Sequence, residues 1–115
     1  MAERRQNKRV TASLKAWCEG DDLTLLSSTL NVSKDGLFLR ASRPFATGSR
    51  LTLTIDELGV VAEVEVCWSR TPRDSTLPGI GLAILSFVHG GVAYERYVDQ
   101  NTTRSGEHRL HLPRE

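Results

Sequence analysis

The sequence predicts an all-β fold, a small six-stranded antiparallel β-barrel with one C-terminal α-helix. Three observations lead there. Apolar and polar residues alternate with period two through most of the chain, the pattern of strands with one buried face. Turn-forming clusters punctuate those runs at regular intervals. A single segment, near the C-terminus, has helical spacing instead.

Val10, Ala12, Leu14 and Ala16 begin the alternation. A turn at Glu19-Gly20-Asp21-Asp22 separates them from Leu23-Thr24-Leu25-Leu26. Leu37-Phe38-Leu39 follows directly on Asp35-Gly36. Leu51, Leu53 and Ile55 alternate with threonines, and Ala62, Val64, Val66 and Trp68 alternate with Glu63, Glu65 and Cys67. Ile80, Leu82 and Ile84 complete a set of about six strands. Arg43-Pro44, Thr47-Gly48, Leu58-Gly59 and Leu77-Pro78-Gly79 are the separators. Such a pattern fits a barrel or a sandwich. A single small barrel is favoured, because closure removes exposed strand edges. Val92, Tyr94 or Glu95, and Val98 predict a helix over 91–101, packed on one mouth of the barrel. The chain divides into a basic arm over 1–9, the barrel and helix over 10–101, and a polar tail over 102–115.

The 115 residues fit one domain, and 39% hydrophobic with 25% charged residues argues for a folded chain. A formal net charge of +1 excludes bulk attraction to nucleic acid or an anionic membrane. No apolar run is long enough for a transmembrane helix, and no secretory signal is predicted. The two cysteines, Cys18 and Cys67, lie in apolar surroundings and read as buried free thiols. The cytoplasm is the expected compartment. Two matches to the glycosylation sequon, at Asn31 and Asn101, are attributed to chance. His108 and His111 have metal-like spacing but no ligand cluster beside them, so no metal site and no cofactor is expected. No catalytic arrangement has supporting context, and the protein is not expected to be an enzyme.

Two segments carry binding chemistry. Arg4-Arg5-Gln6-Asn7-Lys8-Arg9 stands just before the first strand, with Arg5 and Arg9 four apart. A guanidinium is a rigid fork of donors that matches two acceptors at once, such as two phosphate oxygens or the O6/N7 edge of guanine. The second segment is Asn31-Val32-Ser33-Lys34-Asp35-Gly36, between two strands. Its structural reading is a polar turn, with Gly36 free to take positive φ. Its functional reading has Asn31 and Ser33 pointing outward on one face, offering a guanine an amide and a hydroxyl. Trp17 and Trp68 are assigned to packing, with base stacking a second role for Trp68.

Taken together, Arg-x-x-x-Arg before the first strand and Asn-x-Ser-x-x-Gly before Gly36-Leu37-Phe38-Leu39 resemble the PilZ domain. Pro44 to Gly48, Val64 to Arg70 and Pro78 to Leu82 extend the resemblance over roughly residues 4–100. The closing strand departs from the family pattern, in which an aromatic follows the glycines sooner than Phe87 does here. The resemblance implies a cytoplasmic receptor module that binds cyclic di-GMP through Arg5, Arg9, Asn31, Ser33 and Gly36. Arg4, just ahead of the motif, is compatible with binding of a stacked ligand pair. The arm would be mobile when free, and its ordering on binding would be the signal to a downstream protein partner. The expected partners are cyclic di-GMP and that protein, with no nucleic acid and no membrane insertion, the receptor itself being a monomer or homodimer. A PilZ-like adaptor that binds no nucleotide is the alternative. A barrel for RNA or single-stranded DNA is disfavoured, since aromatics are only 6% of the chain and such proteins stack bases on several.

Overall fold

A computed structural model describes residues 9–20, 24–43, 45–70 and 78–111, with side chains described through residue 102. Seven strands and one long helix follow in order: β1 (Val10–Thr11), β2 (Lys15–Glu19), β3 (Thr24–Ser33), β4 (Gly36–Arg40), β5 (Arg50–Ile55), β6 (Val60–Arg70), β7 (Gly79–His89) and α1 (Gly91–His111). All pairings are antiparallel. β3, β2, β5, β6, β7 and β4 pair in sequence, and the β3–β4 ladder closes the ring. The barrel is therefore six-stranded, as the alternation predicts. Closure leaves each of these strands a partner on either side, which is how a small sheet avoids open edges.

The first predicted strand is in fact two. β1 and β2 both pair with β3, Val10 opposite Val32 and Lys15 opposite Ser28, with a gap between them. Thr29 fills the gap. Its hydroxyl donates to the Ala12 carbonyl at 2.5 Å and accepts from the Leu14 N–H at 2.9 Å. Thr29 is buried, and these bonds satisfy backbone groups that the ladder leaves open.

The inward side chains make one core. Ala16, Val32, Leu37, Leu39, Leu53, Ile55, Ala62, Val64, Val66 and Ile80 are fully buried. Removing them from water is the main favourable term in the folding of such a barrel. Between β5 and β6 a short 3-10 turn, Asp56–Leu58, ends at Gly59, whose φ of 65° needs glycine's freedom. α1 lies over one mouth against β1 and β6, with Tyr94 and Val98 buried.

The helix is longer than predicted. It begins at Gly91 but runs to His111, into the segment read as a tail. Asn101 and Thr102 donate to the carbonyls of Tyr97 and Val98, one turn earlier. No proline stands between Gly91 and Leu112. A polar segment without apolar periodicity lacks a buried face, but it can still be helical.

The cysteines differ from each other. Cys18 is buried, and burial pushes its thiol up to about 12 from an ordinary 9.0. Cys67 is exposed, contrary to the expectation of two buried thiols. It sits in an irregularity of the β6–β7 ladder, where Val66 faces Leu82 and Trp68 faces Gly81. The skipped residue is pushed out of the ladder. A thiol reagent at neutral pH should therefore label Cys67 alone in the native protein, and Cys18 only after unfolding. Fast native labelling of both would contradict this packing.

Candidate functional site

Arg9, Asp35, Gly36, Cys67, Trp68, Gly81, Leu82 and Ala83 line a cleft of roughly 190 Å³ on the barrel wall. Three adjacent strands supply its floor. Phe38 of β4 faces Gly81 of β7, and Gly81 faces Trp68 of β6. Gly81 thus sits between two aromatics in one row. A Cβ there would collide with the Trp68 indole. Because it has none, the two rings lean together above it, with centroids 4.8 Å apart and planes tilted by 49°. The Arg70 guanidinium lies 4.6 Å from the centre of the indole, a cation–π contact. Trp68 remains half-buried. The ladder irregularity at Cys67 moves Trp68 out of the inward series of Ala62, Val64 and Val66. Trp17 is half-buried too, between the inward Ala16 and Cys18.

The edge of the cleft joins the two segments that the sequence marks. Arg9 Nη1 donates to Asn31 Oδ1 at 2.8 Å across 22 positions of sequence. Arg9 is exposed and keeps donors for a further acceptor. Asn31 lies on β3, opposite Thr11 on one side and Phe38 on the other. Arg4 and Arg5 lie outside the described residues.

Ser33 does not point outward. It is 1% exposed, and its hydroxyl donates to Asp35 Oδ1 at 2.7 Å, with the Gly36 carbonyl 3.2 Å away. Ser33 and Gly36 face each other across the two-residue turn Lys34-Asp35, so the serine is held inside the turn it was expected to decorate. Gly36 is a different glycine from the one expected. The described residues with positive φ are Gly48, Gly59 and Gly90. Gly36 is needed for space, since a Cβ on it would stand 2.5 Å from the Leu82 carbonyl oxygen.

In the sequence Tyr94 reads only as a packing residue. In the fold its side chain reaches from α1 to the underside of the turn, where its hydroxyl donates to the Ser33 carbonyl at 2.7 Å. Burial pushes its phenol well above the usual range. Arg9's charge opposes that shift and Asp35's adds to it. Tyr94 is therefore a neutral hydrogen-bond donor at physiological pH. A tyrosine in a helical pattern carries no signal of such a bond.

A cationic fork and an indole beside a glycine floor suit a flat, polar ligand: the fork matches acceptors or negative charge on it, and the Asp35 carboxylate matches N–H donors. Among the described residues no group of three His, Cys, Asp or Glu side chains could hold a metal ion. No helix among them is long and apolar enough to cross a membrane.

Comparison with solved structures places this fold among known ones. The chain is similar to the Bacillus subtilis inhibitor of motility (MotI/DgrA), with a TM-score of 0.72 and 21% identity, over 88% of this chain and 52% of that one. It is also similar to MrkH of K. pneumonia, solved as a complex with c-di-GMP, with a TM-score of 0.60 and 14% identity, over 93% of this chain and 53% of that one. The chain spans about half the length of each. No curated protein matches its sequence. The model of the PilZ domain family matches residues 3–98, so the chain belongs to the PilZ domain family, a family of cyclic di-GMP receptor domains.

Proposed function

We propose that this protein is a receptor for cyclic di-GMP and acts by binding, without catalysis. The observation that carries the reading is the Arg9–Asn31 hydrogen bond, which joins the last residue of the arginine segment to the first of the Asn-x-Ser-x-x-Gly segment at one edge of the cleft. Arg9 would supply charge-assisted bonds to a phosphate or a guanine edge. Asn31 would select the base. The Trp68 indole would offer a stacking surface, of the kind that contributes about 1–3 kcal/mol per base, if a base displaced the Arg70 guanidinium that now lies over it. Ser33 and Gly36 would act through the shape of the turn. Arg4 and Arg5 would complete the clamp from the arm, with Arg4 favouring a stacked ligand pair. MrkH, which shares the fold, was solved with this ligand. The receptor would work in the cytoplasm, and ordering of the arm would present a new surface to a downstream protein.

Isothermal titration of cyclic di-GMP into the purified protein tests the reading. Saturable binding is expected, and a ratio of two ligands per chain would support the stacked pair. A ratio of one would refute the pair and leave the receptor. No heat from a demonstrably folded protein at high ligand concentration would refute the receptor, leaving an adaptor that works through protein contacts alone.

A further inference from the structure

Helix α1 grips the Ser33–Gly36 turn at two points. From beneath, the fully buried Tyr94 donates to the Ser33 carbonyl at 2.7 Å, and its oxygen stands 3.3 Å from the Gly36 carbonyl. From outside, Lys34 Nζ lies 3.0 Å from Asp99 Oδ1. The same turn is one wall of the cleft, through Asp35 and Gly36. The Tyr94 ring also packs on Phe87 of β7, with centroids 5.5 Å apart, so its hydroxyl cannot swing freely away from the turn. A displacement of the turn must therefore either break these contacts or move the helix with it.

We propose that Tyr94 is a positioning residue that couples the cleft to α1, so that occupancy of the cleft is reported at the surface of the helix. The proposal rests on the reading that the cleft is the ligand site. The partner surface it implies is the exposed side of α1, which carries Val92, Glu95, Arg96 and Gln100. Tyr94 should carry most of the coupling. Its bond is buried, whereas Lys34 and Asp99 are exposed and exposed pairs contribute little.

Hydrogen exchange, resolved by mass spectrometry on the full chain, tests this in two arms. In the free protein, Tyr94→Phe should speed exchange of the turn amides, Lys34 to Gly36, and of the first turns of α1. The expected factor is about fivefold, the weight of one net hydrogen bond. Asp99→Asn should change it less. Unaltered exchange at the turn would overturn the coupling. In the second arm, cyclic di-GMP should slow exchange in α1 of the wild type. Tyr94→Phe should still bind but lose that ligand-dependent slowing, a difference that a merely structural role would not remove. Equal slowing in the variant, or protection of the cleft without any change in α1, would overturn it. If the wild type takes up no cyclic di-GMP, the receptor reading fails by itself and the free-protein arm still decides the coupling.

Discussion

Arg9→Ala is expected to weaken binding of cyclic di-GMP by about tenfold to a hundredfold while leaving the melting temperature almost unchanged. Charge-assisted hydrogen bonds contribute roughly 1.5–3 kcal/mol each, and one such bond corresponds to that range of affinity. The lower end is favoured if the bound arginine stays partly solvated. Asn31 would also lose the partner that fixes its amide, so the base-reading group becomes less ordered together with the loss of charge. Stability should hold because Arg9 is exposed and fills no part of the core. Arg9→Lys separates charge from geometry. It keeps the cation and loses the fork, so it should recover only part of the affinity. Titration calorimetry and a thermal melt of the three proteins decide the matter. An unchanged affinity in Arg9→Ala would remove Arg9 from the site. A lowered melting point of similar size would mean that it supports the fold instead.

How far the sequence leads can be judged element by element. Leu51, Leu53 and Ile55 are buried as their alternation requires, because β5 runs without interruption between β2 and β6. The split between β1 and β2 is not legible. It depends on a threonine hydroxyl that stands in for ladder bonds, and Thr29 is remote from Ala12 in the chain. The direction of Trp68 is not legible either. Period-two reading sends it inward after Val66, and the irregularity at Cys67 reverses the phase. That irregularity is a property of the β6–β7 pair, which neither strand shows alone. Helical spacing marks where α1 starts but not where it ends, because a helical segment without a buried face leaves no apolar period to read. In the candidate site, the residue types of both motifs are visible. The contact between Arg9 and Asn31, the burial of Ser33 and the reach of Tyr94 are not, since they depend on the pairing of β1 with β3, on hydrogen bonds inside the turn and on the docking of α1.

Gly36→Ala is expected to damage the fold more than the binding. The added methyl would stand 2.5 Å from the Leu82 carbonyl oxygen and 3.7 Å from the Ala83 Cα. Both are backbone atoms, and a backbone in a ladder cannot turn aside as a flexible side chain can. β4 is the strand that closes the ring between β3 and β7, with Gly36 paired to Ala83 and the Ile84 N–H donating to the Asp35 carbonyl at 2.9 Å. Relief of the overlap must part the strands at that seam. Overpacking of this kind costs about 1–3 kcal/mol, which in a domain of this size lowers the melting temperature by roughly 5–20 °C. Gly48→Ala is the matched control. Gly48 has a φ of 92° and open space where the new methyl would stand, with nothing within 4 Å. Alanine there meets strain without collision and should cost about 1 kcal/mol. The two variants separate two roles for the glycine that ends the Asn-x-Ser-x-x-Gly segment. If Gly36 exists to let β4 approach β7, its alanine variant melts earlier than the Gly48 variant, and the molecules that remain folded in the cold still bind, with an affinity lowered only as far as the parted seam reshapes the cleft wall. If Gly36 exists to admit the ligand, the melting temperature holds and the affinity collapses. The position of Leu82 argues for the first outcome, because the space a methyl would need is already occupied by the barrel itself.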